Sequence, residues 1–231
     1  MALVVLAIAV LAVRGVRSGP EPAVLLPPPA LDIAASESTG PQTLVLAGGC
    51  FWGVQAVFQH TRGVLNAVSG YAGGTQASAN YEEVSSGRSG HAEAVQITYD
   101  PRQVSLGQLL QVYFSVAHDP TQRDRQGPDT GSQYRSAIFY ADARQLEVAQ
   151  RYIAQLDQAG VFGSGIVTEL AALKGFYPAE AHHQDYATNF PSAPYIATFD
   201  RPKINHLKQA FPALYRETPV LVARAGPAAG N

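Results

Sequence analysis

The sequence contains one cysteine, Cys50, among 231 residues. An intramolecular disulfide is therefore impossible, a zinc cage of several thiolates is excluded, and an iron–sulfur cluster has too few ligands. Charge is scarce as well: 16 basic and 18 acidic residues leave a net charge of -2, so no basic face is offered to nucleic acid. No apolar run reaches the roughly 20 residues that a membrane-spanning helix needs. None of the six histidines forms an H-x-x-x-H or H-E-x-x-H pattern. Adjacent His182 and His183 would point about 100° apart on a helix, so no metal site is expected. The glycine-rich turns lack a following Lys-Ser or Lys-Thr and are not phosphate loops.

What is present is a chain long enough for one core, 46% hydrophobic, behind an atypical start. Residues 1–13 (MALVVLAIAVLAV) carry no charged side chain and are followed by Arg14 and Arg17. That length suits the core of an export signal better than a spanning helix. Arginines after the apolar run, not before it, weigh against export of the body. A short anchor and a translated leader with a misassigned start are the other readings. The expectation is export, to the periplasm or a membrane-anchored position, with a cytoplasmic protein as the alternative. Residues 18–41 read as a Pro/Ala-rich flexible linker, residues 42–216 as a single globular domain, and residues 217–231 as a flexible tail.

From residue 42 the periodicity becomes globular. Thr43–Ala47 reads as a buried strand, Phe51–His60 as a helix, Val64–Tyr71 and Glu93–Tyr99 as strands. Ser105 suits a helix N-cap for Leu106–His118. Ala137–Tyr140 follows as a strand, Ala143–Gln158 as an amphipathic helix ended by Gly160, Ile166–Leu170 as a strand and Ala181–Asn189 as a short helix. A doubly wound parallel sheet would alternate strictly, and this order does not. Two βαβ-like units back to back predict an α/β (α+β) fold, a two-layer sandwich with a mixed sheet of the ferredoxin-like kind.

Cys50 falls between the first strand and the first helix, in Gly48-Gly49-Cys50-Phe51-Trp52-Gly53. Free amides and the positive dipole end at a helix start favour a thiolate, which predicts a lowered pKa. A lone cysteine also serves as a small buried hydrophobe, and position alone does not choose between the two. Phe51 and Trp52 add an apolar surface suited to a small apolar substrate group. Glu93 opens a strand among apolar neighbours, where desolvation would keep its proton near neutrality, although a solvated strand-end carboxylate has the same sequence appearance. His91 could serve as a base for the thiol or as a structural loop histidine. Tyr71, Tyr81 and Tyr134 border turns where a phenol can donate to a developing anion. His118-Asp119-Pro120 and Gly127-Pro128-Asp129-Thr130-Gly131 read as turn chemistry.

Together these segments resemble the A-type peptide methionine sulfoxide reductases. The resemblance rests on Gly49-Cys50-Phe51-Trp52-Gly53, Gly70-Tyr71-Ala72-Gly73-Gly74, Tyr81-Glu82-Glu83-Val84 and Gly90-His91-Ala92-Glu93-Ala94-Val95. It continues through His118-Asp119-Pro120, Gly131-Ser132-Gln133-Tyr134-Arg135-Ser136 and Ala181-His182-His183-Gln184-Asp185-Tyr186. The ordered series is far more specific than any one motif. It implies that Cys50 attacks the sulfoxide sulfur and that Phe51 and Trp52 hold the substrate methyl. Protonated Glu93 would donate toward the sulfoxide oxygen with help from Tyr81 and Tyr134, and Asp129 would fix the substrate main chain. The implied substrates are S-epimer methionine sulfoxide, free or in oxidised proteins, with no bound cofactor and a monomeric enzyme. Many members carry a downstream resolving cysteine; here none follows Cys50, and Ser85 stands where some members have cysteine. Recycling would then need an external thiol such as thioredoxin, glutaredoxin or glutathione.

Overall fold

The computed structural model describes residues 23–37 and 40–222. Strands β1 (Gln42–Gly48), β2 (Val64–Ala72), β3 (Ala92–Tyr99) and β6 (Ser136–Tyr140) form the middle of one sheet. Its full order is β7-β6-β1-β3-β2-β8, with β7 at Glu169–Ala172 and β8 at Phe176–Pro178. β1 pairs antiparallel with both β3 and β6, and β2 pairs antiparallel with β3; only β6 and β7 run parallel. The mixed sheet is therefore an antiparallel ferredoxin-like centre with a parallel extension. Between the middle strands run helices α1 (Phe51–Gln59) and α3 (Leu106–Val112), and α4 (Ala143–Ala159) leads from β6 to β7. Shorter pieces among the described residues include α2 (Tyr81–Ser85), the two-residue strands β4 (Arg125–Gln126) and β5 (Asp129–Thr130), α5 (Tyr186–Asn189), and α6 (Arg201–Ala210) with the π-helical turn Ile196–Asp200 before it.

The pleat sorts the apolar residues between two faces. Leu44 and Leu46 of β1, with Val95, Ile97 and Ile138, join Phe51, Val54 and Phe58 of α1 in the main core. Val45 and Ala47 face the other way, onto a thinner cluster of alanines, Phe139 and Phe176. The expected Leu106–His118 helix is α-helical only to Val112, widens into a π-turn over Tyr113–Ala117 and stops at extended His118. The expected Ala181–Asn189 helix is broken in two. Gln184 is extended and Asp185 takes φ 57°, because the Gln184 amide hydrogen-bonds the Ser69 backbone like an added strand while Asp185 N–H donates to Gln55 Oε1 at 2.9 Å.

The stretch read as a free linker is, over residues 23–37, strapped to the domain. Leu26 is buried, Val24 N–H donates to the Ser115 carbonyl, and Tyr152 donates to the Pro27 carbonyl at 2.8 Å. Asp32 accepts from the Gly107 N–H at 2.8 Å and from the Ser105 hydroxyl, reinforcing the Ser105–Gln108 capping box of α3. Composition hid this because Pro-rich chain satisfies few of its own backbone groups and so borrows partners from α3 and α4. At the other end Val220 N–H donates to the Gln59 carbonyl, and Lys208 meets Glu217 at 2.9 Å, so residues 217–222 are docked rather than free. The apolar start, residues 1–13, lies outside the described residues. No described helix is long and apolar enough to cross a membrane.

Candidate active site

β1 delivers the chain to the site and Gly49 turns it. Gly49 has φ 85°, and a Cβ there would stand 2.5 Å from Gln126 Cβ. Glycine is therefore required by both backbone conformation and space. Gln126 is fixed in that position because its amide exchanges two hydrogen bonds with the Asp119 backbone, at 2.9 and 3.0 Å. Cys50 is then the N-cap of α1, buried, with the Trp52 N–H directed at its sulfur.

The expected lowering of the thiol pKa is not what this pocket produces. Burial pushes the Cys50 thiol well above its ordinary value, Glu93 and Asp200 push further the same way, and the Trp52 N–H opposes them only in part. One helix start does not outweigh a dry, acid-lined pocket, so the resting thiol is neutral.

Glu93 is 3% exposed and accepts the Phe51 N–H through Oε2 at 3.0 Å. Backbone and acid are thus tied one residue past the nucleophile. Burial raises the carboxyl from 4.5 to about 8, even against that hydrogen bond, and Asp129 and Asp200 add to the rise. Glu93 holds a proton at neutral pH, and with Oε2 engaged as an acceptor, Oε1 is free to carry it. The desolvated alternative is the one realised.

Around this pair the structure gathers the other expected residues. Tyr134 lies on the turn Ser132–Tyr134, and burial, then Glu93, Asp129 and Cys50, hold its phenol in the protonated form. Asp129 accepts a hydrogen bond from the Tyr195 hydroxyl, and burial raises its carboxyl from the usual range. Tyr81 is 42% exposed at the rim, its ring 4.6 Å from that of His183. Phe51 is buried beneath, in ring contact with Tyr71 and His183. Trp52 stacks on Tyr186 at 3.8 Å and 9°, with the edge of Tyr195 6.0 Å away.

The sequence assigns no site role to Tyr186, Tyr195 or His183, although Tyr186 and His183 stand in a motif of the resemblance and His183 is weighed and rejected as a metal ligand. The tyrosines' signal was weak, since eleven are scattered through the chain and these two lie over a hundred residues from Cys50. His91 is excluded as a base. Its Nδ1 accepts from Gly74 N–H at 3.2 Å and its Nε2 donates to the Thr75 carbonyl at 2.9 Å, which uses both nitrogens. His182 is exposed, and Ser85 sits on α2 with its hydroxyl donated to the Tyr81 carbonyl. His118 is structural too: burial drives it down to about 3, and Nε2 contacts Ser136 Oγ at 2.7 Å behind Gly48.

A single thiol facing an acid that keeps its proton at neutrality is equipped for two-electron exchange at sulfur, the work of a thiol oxidoreductase. Comparison with known proteins leads to the same class and narrows it. Residues 42–214 match the family model described as Peptide methionine sulfoxide reductase, and the chain belongs to that family. It is 59% identical over 186 residues to "Peptide methionine sulfoxide reductase MsrA 2" of Mesorhizobium japonicum, covering 80% of this chain and 95% of that protein. A protein of the same description from Synechocystis is 48% identical over 189 residues, 81% of this chain and 88% of its own length. Among solved structures, methionine sulfoxide reductase A of Corynebacterium diphtheriae aligns with TM-score 0.58 and 36% identity, over 77% of this chain and 89% of that one. Reduced Mxr1 of Saccharomyces cerevisiae aligns with TM-score 0.61 and 31% identity, over 67% and 88%.

Proposed function

We propose that this oxidoreductase reduces methionine S-sulfoxide, in oxidised proteins or free, with Cys50 as nucleophile and Glu93 as acid. The observation that carries the assignment is the Phe51 N–H to Glu93 contact of 3.0 Å, which fixes a proton-holding carboxyl beside the only thiol. Phe51 and Trp52, backed by Tyr186, supply the apolar wall for the substrate methyl, and Asp129 with Tyr195 the polar rim for its main chain.

The chemistry follows from charge. As Sγ adds to the sulfoxide sulfur, the oxygen gains negative charge, and a neutral acid and the phenols of Tyr81 and Tyr134 stabilise that state more than the ground state. The adduct then collapses: the oxygen passes from the substrate sulfur to Sγ as the S–O and new Sγ–S bonds break, methionine departs with its sulfur reduced, and Cys50 is left oxidised as a sulfenic acid. The thiol proton and the oxygen balance with no external redox partner in this half. In the second half an external thiol attacks Cys50–SOH and releases water, and a second thiol frees Cys50 from the mixed disulfide. Thioredoxin, glutaredoxin and glutathione all meet that requirement. Ionising a neutral thiol only when a sulfoxide arrives suits a site whose resting acid and nucleophile are both protonated.

Incubation with the separate S and R epimers plus dithiothreitol tests the reading. S-selective turnover that vanishes in Cys50→Ser is expected; turnover surviving that change, or no turnover of the S epimer, overturns it. The apolar start supports export as well. Because the strap is docked from Val24 onward, a processed chain should begin at or before about residue 22, which intact mass of the mature protein reads.

A further inference from the structure

At the nucleophile the start of α1 meets the junction where the π-helical turn Ile196–Asp200 runs into α6. Asp200, the N-cap of α6, and Lys203 in its first turn press against the first turn of α1 at Gly53. A Cβ on Gly53 would stand 2.1 Å from Asp200 Oδ1 and 3.0 Å from Lys203 Nζ, so only glycine admits the pair. Asp200 is fully buried and Lys203 is 7% exposed, with Nζ 3.4 Å from Asp200 Oδ1. Lys203 and Cys50 line the same small, partly open cleft of about 10 Å³, together with Gln126, Pro128, Tyr195 and Phe199.

The charges around that cleft are uneven. Cys50 is faced by Glu93 of β3, Asp129 of β5 and Asp200 at the head of α6, all of which disfavour its thiolate. The phenols of Tyr134 and Tyr195 also feel the cysteine, and the Trp52 N–H of α1 favours the anion. Behind them stands neutral His118, whose protonation Lys203 further opposes. Lys203 is the ammonium that this acid cluster encloses: it counters both Asp129 and Asp200. A buried ion pair is a poor device for stability alone, because desolvation offsets its attraction. Placed against a reactive sulfur, its two members have opposite effects on the charge that develops there.

We propose that the Asp200–Lys203 pair governs the ionisation of Cys50, Lys203 favouring the thiolate and the later sulfenate while Asp200 opposes them, so that both are positioning residues of the reduction. The inference rests on the reading of Cys50 as nucleophile, and its test is separable from that reading because it needs no sulfoxide.

The experiment is the pH dependence of iodoacetamide alkylation in the full chain, where a sole cysteine makes the signal unambiguous. Lys203→Met should raise the alkylation midpoint by about one pH unit or more, slowing alkylation about tenfold below both midpoints. Lys203→Arg should return it toward wild type, and Asp200→Asn should lower it. General loosening of the fold would move both variants the same way. Midpoints that are unmoved, or that move together, overturn the proposal; where Lys203→Met does not fold, Asp200→Asn decides alone, an unmoved or higher midpoint being fatal. Opposite shifts in a protein with no S-sulfoxide turnover would sink the reductase reading and leave this one standing.

Discussion

Replacing Glu93 with Gln separates two properties that the wild-type carboxyl couples. The amide preserves an oxygen for the Phe51 N–H and nearly the same volume, and it cannot ionise. With a carboxyl raised from 4.5 to about 8, Glu93 is about 90% protonated at pH 7, against about 0.3% for an ordinary glutamate. Between those two values the folded chain binds the proton that the unfolded chain has released. Stability is therefore fully present below 4.5 and is lost as pH climbs toward 8. At about 1.4 kcal/mol per pH unit, the loss by pH 9 is on the order of 5 kcal/mol. Gln escapes it, while Asp129 and Asp200 titrate in both proteins and largely cancel. The variant should melt close to wild type at pH 5 and roughly 10 °C higher at pH 9. Its Cys50 should still be alkylated, yet sulfoxide reduction should fall by about 10²–10⁴. Thermal melts at both pH values and single-turnover reduction give the two readings. An equal Tm difference at pH 5 and pH 9, or near-normal reduction, would refute the buried-acid argument.

Other substitutions test what positions the site. Gly49→Ala forces a side chain to φ 85° and drives Cβ to 2.5 Å from Gln126, so a loss of more than about 2 kcal/mol in urea unfolding is expected, with reduction impaired beyond it. An unchanged midpoint would remove the tight turn from the reasoning. Asp32→Ala deletes the acceptor for Gly107 N–H and Ser105 Oγ; a loss of about 1–2 kcal/mol with unaltered kcat is expected, and no loss would show that the strap contributes nothing there.

The central sheet and its helices were legible because Thr43–Ala47 is a short apolar run ending in turn glycines, Val95 and Ile97 alternate along their strand, and Phe51, Val54 and Phe58 repeat at helical spacing. Cys50 and Glu93 were each legible only as open candidates, because turn glycines before the one and apolar neighbours around the other report local environment; it was the family resemblance that joined them. The long-range partners were not. Tyr186 reaches Trp52 through a break that Gln55 and Gln184 create across more than a hundred residues, and no local pattern encodes that. The thiol pKa went the wrong way for the same reason. A helix start is visible locally, whereas the burial that dominates, and after it Glu93 and Asp200, are brought to the sulfur only by the fold. Residues 23–37 looked like linker because proline content reports stiffness, not docking.

The neutral resting state of Cys50 has a consequence for selectivity among oxidants. Peroxide reacts with thiolates, and a sulfur held protonated by burial and by neighbouring carboxyls is a slow target for it. A sulfoxide brings its own basic oxygen into contact with a proton donor and so activates the sulfur that will reduce it. A sole nucleophile held in this way is reserved for a partner that can supply the proton acceptor, and that partner is the oxidised substrate.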